Sequence, residues 1–584
     1  MTSGMLRLLT PVLRRGNVAA EVAGTQGFLH DDTMVVNVLK AEQVVRGVPV
    51  ARINEDGHGV VHLHVRKDKE TFEFSFRRTL PGEKLNLKVG LAKHDRFKKK
   101  EPGKYRLAIH ERTTASTEEV KPRCPNFAQK CGGCAFQNLR YESQLNEKMH
   151  LLEILLDQFG LLRSEEVVLA DPVASASIFG FHARTEFRAF LRDGLQFGMH
   201  PEGSPIPIPI TECHLHSDSA QLAFDALRRS LRAAGATAFD ERTGRGWLCN
   251  LILRSSLPRQ GAEPQLLATL VTLPEAPRDV LESAAREAQS QCSALVGVTW
   301  SQEGGEGLKT PGWRSRGHQK HEVLAGRPYL LQDIDGAPMR LIPEGFLRPN
   351  IFLASELSRT VVDFSKANSA ARQDSIVWDA FCGQGLLTLP LAAAGSRLVA
   401  LDRSQPALEA LQSNLKAQSL TAEVVCGDLG IPVFLQRLLA ALPTRSTISR
   451  DTQEEGDFSE DETEEADQAS QDDNQPFVGA VPTTLPAPNV LVVDPGRNGL
   501  PKPFRRFALD LRVPTLIYVG SGRGLLRDVA LLSKRGYQLR KLQPIDLQPH
   551  SARLEVVARL VWSGERRESV DWLPRNQTRL HSLT

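Results

Sequence analysis

The sequence predicts an α/β protein in which a doubly wound C-terminal domain follows a small β-barrel and a central α+β domain. Three observations carry that prediction. After Phe346, short apolar runs repeatedly end in Gly or Asp and feed helical stretches, as in SIVWDAFCGQG, RLVALDRS, AEVVCGDL, NVLVVDPGRNG and TLIYVGSGRG. From about Val38 to Ile109 the chain alternates apolar and polar residues in short runs, GVVHLHV and TFEFSF among them, broken by Gly, Asp and Pro. With 584 residues the chain is also too long for one core.

The N-terminal segment 1–37 reads as a flexible or targeting stretch. It carries Arg7, Arg14 and Arg15 with no acid before Glu21, which resembles a mitochondrial transit peptide; an ordinary basic N-terminus is the competing reading. The compartment expected is mitochondrial or cytoplasmic. Residues 38–112 form the expected barrel, 113–345 the central domain and 346–584 the doubly wound domain. An acidic insertion at about 446–478 falls between two strands of the last domain.

Hydrophobic residues make up 41% and charged residues 24%, ordinary values for a soluble globular protein, and no apolar run reaches membrane-spanning length, so no membrane partner is expected. The net charge of +3 conceals an asymmetry. Between Asp451 and Asp473 there are 12 acidic residues and no Lys or Arg, and without them 72 basic residues face 57 acidic ones. A body of that charge suits a polyanion, with Lys98, Lys99, Lys100 and Lys104 the densest local patch; a merely solvated surface is the plainer reading.

In the central domain, Cys124, Cys131 and Cys134 lie at C-x6-C-x2-C spacing, with an amphipathic helix following through Leu152 and Leu155. Three gathered cysteines need a fourth ligand for tetrahedral zinc or a cubane iron–sulfur cluster, and Cys213 in ITECHLHS is the best candidate. Cys249 and Cys292 read as core. With no secretory leader, a disulfide framework is not expected of the eight cysteines.

The C-terminal domain carries its chemistry at strand tips. Asp379, Gly383 and Gly385 in VWDAFCGQG form a strand, loop and helix turn that lets a ligand approach the backbone. Asp402 ends the next strand, where a carboxylate can accept both hydroxyls of a ribose, and Asp428 ends the third. Acids at three successive tips suit S-adenosylmethionine. The first loop lacks the full G-x-G-x-x-G of the NAD competitor.

Together TLPGEKL, CGGCAFQNLRYESQL, GFHARTEF, FLRPN, DAFCGQG, DPGRNGL and PHSARLE resemble the RNA 5-methyluridine methyltransferase family, in particular its iron–sulfur branch acting on large-subunit ribosomal RNA. The resemblance spans about residues 38–562. It implies a TRAM- or OB-like barrel, a central RNA-binding domain and a Rossmann-like methyltransferase domain. It also implies a monomer that methylates uridine C5 in structured rRNA or tRNA. A [4Fe–4S] cluster would rest on Cys124, Cys131, Cys134 and Cys213, with zinc as the alternative. Arg348, Asp379, Gly383, Gly385, Asp402, Asp428 and Asp494 would hold the methyl donor, and Glu555 would be the general base.

The family adds a cysteine thiolate to uracil C6 so that C5 can attack the sulfonium methyl. That cysteine belongs in a YVSCNP-like turn, which here reads YVGSGRG, with Ser521 or Gly520 in its place according to register. No cysteine follows Cys426, and a serine hydroxyl would need a strong adjacent base. FLRPN also has Arg348 where the family has a Gln, and DPGRNGL has Gly496 where a second Pro is common. The sequence therefore supports two functions: an S-adenosylmethionine-dependent RNA uracil-5-methyltransferase, and a catalytically inactive homologue acting in RNA binding or ribosome assembly.

Overall fold

The structure, a computed structural model, describes residues 32–91, 105–162, 166–201, 204–259, 261–302, 321–366, 375–443 and 479–564. Residues 1–31, the lysines at 98–100 and 104, and the acidic insertion lie outside the described residues.

At the N-terminal end, alternating strands make two small sheets. Gly59–Val65 pairs with Thr33–Val36, Arg52–Ile53 and Glu70–Phe76, while Lys84–Leu91 pairs with Val44–Pro49 and Tyr105–Thr114. Their inward residues, including Val45, Val61, Leu63, Leu85 and Leu87, share one apolar core. The expected barrel is thus seen as two sheets around a common core.

The central unit is a seven-stranded sheet, with the helices Asp218–Ala233 and Arg278–Gln291 contributing to the core on one face. Its middle strand, Leu248–Ser256, is buried at every position. The hairpin of Leu330–Ile334 and Ala337–Leu341 joins a second core that includes Leu267 of this sheet and Leu389 and Leu408 of the C-terminal unit.

In the C-terminal unit the strands Glu423–Cys426, Arg397–Asp402, Ile376–Ala380, Val490–Val493 and Thr515–Ser521 run parallel in that spatial order. Glu555–Trp562 then adds antiparallel to Thr515–Ser521, and Tyr537–Ile545 pairs antiparallel beyond it. The short strand Val168–Leu169 closes the far edge. Helices cover both faces, so the parallel strands are nearly continuous apolar runs. The strand order reverses at Ile376–Ala380, and the crevice beyond the carboxyl ends of such strands is where open α/β sheets bind ligands.

The helix Tyr141–Gln158 after the cysteines packs into the C-terminal core through Leu151, Leu152, Leu155 and Leu156. It also makes a buried polar joint with the segment before Glu555. Lys148 Nζ lies 2.7 Å from Asp546 Oδ1, both side chains fully buried, and donates to the Gln548 carbonyl at 3.0 Å. Tyr141 donates to Asp546 at 3.0 Å, and Gln144 binds both the backbone N–H and the ring of His550. Among the described residues no helix is long and apolar enough to cross a membrane.

Candidate functional site

The carboxyl ends of the strands open onto a cavity of about 480 Å³, within the range of small-molecule sites. Its walls hold Arg348, Gly383, Asp402, Asp494, Ser521 and Glu555, six residues singled out in the sequence from segments more than two hundred residues apart.

One half is built by the loop after Ile376–Ala380. Phe381 and Gly383 both take positive φ, 65° and 52°, which turns the chain sharply at the strand tip. The Gly383 N–H donates to Asp402 Oδ2 at 2.9 Å and the Ser404 N–H to Oδ1 at 2.8 Å, so the Asp402 carboxylate is aimed at the crevice by two backbone donors. Gln384 accepts from Ile342 N–H at 2.6 Å and donates to the Phe346 carbonyl at 3.2 Å, tying the FLRPN segment to this loop.

Asp379 lies fully buried behind that loop. Its Oδ2 accepts from Thr388 at 2.6 Å, while Oδ1 is buried with no hydrogen-bond partner among the described residues. Burial pushes its carboxyl up to about 7 against the Thr388 bond, and Asp494 and Asp402 add to the rise.

The structure assigns two of the predicted residues to architecture. A Cβ on Gly385 would come within 2.4 Å of Leu411, so this glycine lets the helix Gln405–Ala417 approach closely. Asp428 accepts from the Gly430 N–H at 2.7 Å and lies 3.8 Å from Arg403; it folds its own loop and is not part of the cavity wall.

The other half contains Gly520, Ser521 and Glu555. Ser521 and Glu555 are direct partners in the antiparallel pairing of Thr515–Ser521 with Glu555–Trp562. The helix Gly522–Lys534 starts immediately after Ser521, whose hydroxyl caps no N–H. A Cβ on Gly524 would meet the Arg497 carbonyl at 2.7 Å, so the turn lies hard against the DPGRNG loop. Buried Asp528 anchors that loop by accepting from Leu500 N–H at 2.6 Å and from Tyr518 at 2.8 Å. Arg523 points the other way, to Glu55 of the N-terminal unit at 2.6 Å.

Between the halves lies an ion triad that sequence reasoning missed. Arg348 donates through Nη1 to Glu555 Oε1 at 2.9 Å and through Nη2 to Asp494 Oδ2. Its side chain is 6% exposed. Burial raises the carboxyls of Glu555 and Asp494, and the shared guanidinium works against that rise. Burial alone would lower the Arg348 pKa, but the two carboxylates raise it instead. The residues are 146 and 207 positions apart, so no local pattern signals the contact. Arg403, Arg497 and Arg553 also line the cavity.

Of the described cysteines, none stands beside Glu555 in place of the missing thiol. Burial, with Asp379 and Asp402 adding, holds the Cys382 thiol well above the ordinary range, and burial with Asp402 raises Cys426. Both lie by the Asp402 loop rather than beside Glu555. His550 does not serve Ser521: its ring is bonded to Gln144 and stacks 4.8 Å from Phe179, and burial lowers its pKa to about 4.

Cys124, Cys131, Cys134 and Cys213 line a second, smaller cavity of about 40 Å³ together with His182, Thr185 and Met199. Burial, reinforced by the neighbouring cysteines, raises Cys134 far above its ordinary value and pushes Cys213 up to about 12. Four sulfurs around one hollow match the donor set of a sulfur-ligated centre. Among the described residues, no three His, Cys, Asp or Glu gather tightly enough to hold a metal ion. The backbone N–H of Ala135, next to Cys134, donates to the His550 carbonyl at 2.8 Å. The cysteine loop thus abuts the segment leading to Glu555.

No family model matches the chain. It is homologous at low identity to RNA methyltransferases over most of its length. An uncharacterized RNA methyltransferase of Caldanaerobacter subterraneus subsp. tengcongensis is 24% identical over 474 residues, 80% of this chain and 90% of its own. One of Listeria monocytogenes is 23% identical over 530 residues, 90% of this chain and 99% of its own. One of Nitratidesulfovibrio vulgaris is 26% identical over 494 residues, 83% and 90%. The fold is similar to that of the Pyrococcus abyssi tRNA (uracil-54, C5)-methyltransferase, solved with S-adenosyl-L-homocysteine. The TM-score is 0.59 at 18% identity, over 88% of this chain and all of that one.

Proposed function

We propose that this protein binds structured RNA and S-adenosylmethionine or its product on the scaffold of an RNA uridine-C5 methyltransferase, and works by holding RNA rather than by covalent methyl transfer. The observation that carries this reading is the Arg348 bridge to Asp494 and Glu555. A general base must reach the C5 proton with a free lone pair. Here the candidate base is paired through Oε1 with a buried guanidinium, which opposes its taking up a proton, and Ser521, its strand partner, offers no thiolate for addition to C6.

The residues present fit the donor. Asp402, aimed by Gly383 and Ser404, suits the ribose hydroxyls. Asp379, buried behind the Gly383 loop and outside the cavity wall, would support that loop rather than touch the donor. When bound, the donor would supply an electrophilic methyl. The chain's own side chains would orient its ribose and tail, and Arg348 would hold the two carboxylates together. The four cysteines suit a [4Fe–4S] cluster by donor type.

The intact donor loop favours a second reading, methyl transfer by a route that needs no covalent adduct. Label transfer from methyl-labelled S-adenosylmethionine to RNA separates the two readings, while equilibrium binding and trapping test the scaffold and the covalent adduct. The expected result is saturable binding of donor and of RNA, with no protein adduct on RNA containing 5-fluorouracil. An adduct would refute the proposal, and absence of both bindings would remove the scaffold's function altogether.

A further inference from the structure

The donor S-adenosylmethionine and its product S-adenosylhomocysteine differ by one methyl group and one positive charge. A pocket chooses between them largely by the charge it places at the sulfur. The cavity is bounded on one side by the donor loop, Phe381 to Gln384 with Asp402, and on the other by Gly520, Ser521 and Glu555. Asp494 and Arg348 line the same cavity.

We propose that Arg348 sets the pocket's preference between the sulfonium donor and its neutral thioether product, shifting it towards the product. This rests on the reading that the cavity binds that nucleoside. The Arg348 guanidinium is buried and faces both carboxylates. Its Nε is also buried, with no hydrogen-bond partner among the described residues, so one donor of the group remains unsatisfied beside the ligand space.

With both carboxylates ionised, the triad of one guanidinium and two carboxylates carries a net charge of −1. A glutamine at 348 would remove the guanidinium's repulsion of a sulfonium, and whatever carboxylate charge a shared proton does not neutralise would attract the sulfonium more strongly. The thioether, being neutral, responds little to either change. In a partly buried site, one unit charge several ångströms away shifts affinity by about tenfold or more.

The test measures equilibrium affinities of both ligands for the full chain and three variants. Arg348→Gln makes the triad more negative, Glu555→Gln makes it neutral, and the double variant returns it to the charge of the natural protein. The ratio of donor to product affinity should rise about tenfold in Arg348→Gln and fall about tenfold in Glu555→Gln. The double variant should return it to the natural value. Poor folding of Arg348→Gln, with two facing carboxylates, lowers both affinities together and does not move the ratio; the double variant carries no such repulsion. Equal ratios in all four proteins would overturn the proposal and leave the donor pocket standing. Failure of the natural protein to bind either ligand would overturn both.

Discussion

Replacing Lys148 with Met removes one charge from a pair in which both side chains have no exposure. Breaking a buried ion pair from one side costs about 3–5 kcal/mol, because the other charge stays buried without its partner. Asp546 would keep two donors, Tyr141 at 3.0 Å and the Gln548 N–H at 3.2 Å, which places the expected cost at the lower end, about 3 kcal/mol. The loss should concentrate in Asp546–Glu555, since Lys148 also bonds the Gln548 carbonyl and the same helix holds His550 through Gln144. Native-state hydrogen exchange read by mass spectrometry measures local opening directly. A cost of about 3 kcal/mol corresponds to amide exchange faster by roughly a hundredfold in that segment. Replacing both partners, as Lys148→Met with Asp546→Leu, should restore most of the protection. Unchanged exchange in Lys148→Met, or a double variant as open as the single one, would refute the idea that this pair fixes the Glu555 segment.

Four further predictions concern the site. The Asp379 carboxyl is held protonated up to about pH 7 in the fold, whereas in the unfolded chain it ionises near the ordinary carboxylate value, so its contribution to stability is complete in acid and declines as pH rises to about 7. Melting curves should show that decline, and Asp379→Asn should lack it. A Cβ at Gly524 would strike the Arg497 carbonyl at 2.7 Å, so Gly524→Ala should cost about 1–3 kcal/mol and weaken ligand binding, as denaturant titration and calorimetry would show. Anaerobically purified protein should contain iron and sulfide, and Cys134→Ser should lose both by elemental analysis; stoichiometric zinc instead would point to the other metal. Ser521→Cys should remain inactive in methyl transfer while Arg348 holds Glu555, and should gain activity only when combined with Arg348→Gln.

The parts of this molecule that were legible in the sequence are those fixed by local pattern. Strand tips ending in Asp or Gly located the parallel sheet, and the Gly383 loop with Asp402 appears where the motif placed it. The central sheet was illegible because Leu248–Ser256 is buried along its whole length, which erases the alternation of a half-exposed strand. Gly385 and Asp428 belonged to a motif by position, yet one admits a helix and the other closes a turn. The Arg348 triad and the Lys148 pair lie beyond any local signal, since both are contacts between distant segments made only by folding. Arg348 was visible as an unusual residue in FLRPN, but its two partners were not.

The most direct measurement is transfer of label from methyl-labelled S-adenosylmethionine to total RNA by anaerobically purified protein. With Glu555 clasped by Arg348 and no thiol at the Ser521 turn, the expected result is RNA bound tightly and no label incorporated. Label at uridine C5 that disappears in Glu555→Gln would contradict this, and would mean that the clasp opens and methyl transfer proceeds without the cysteine.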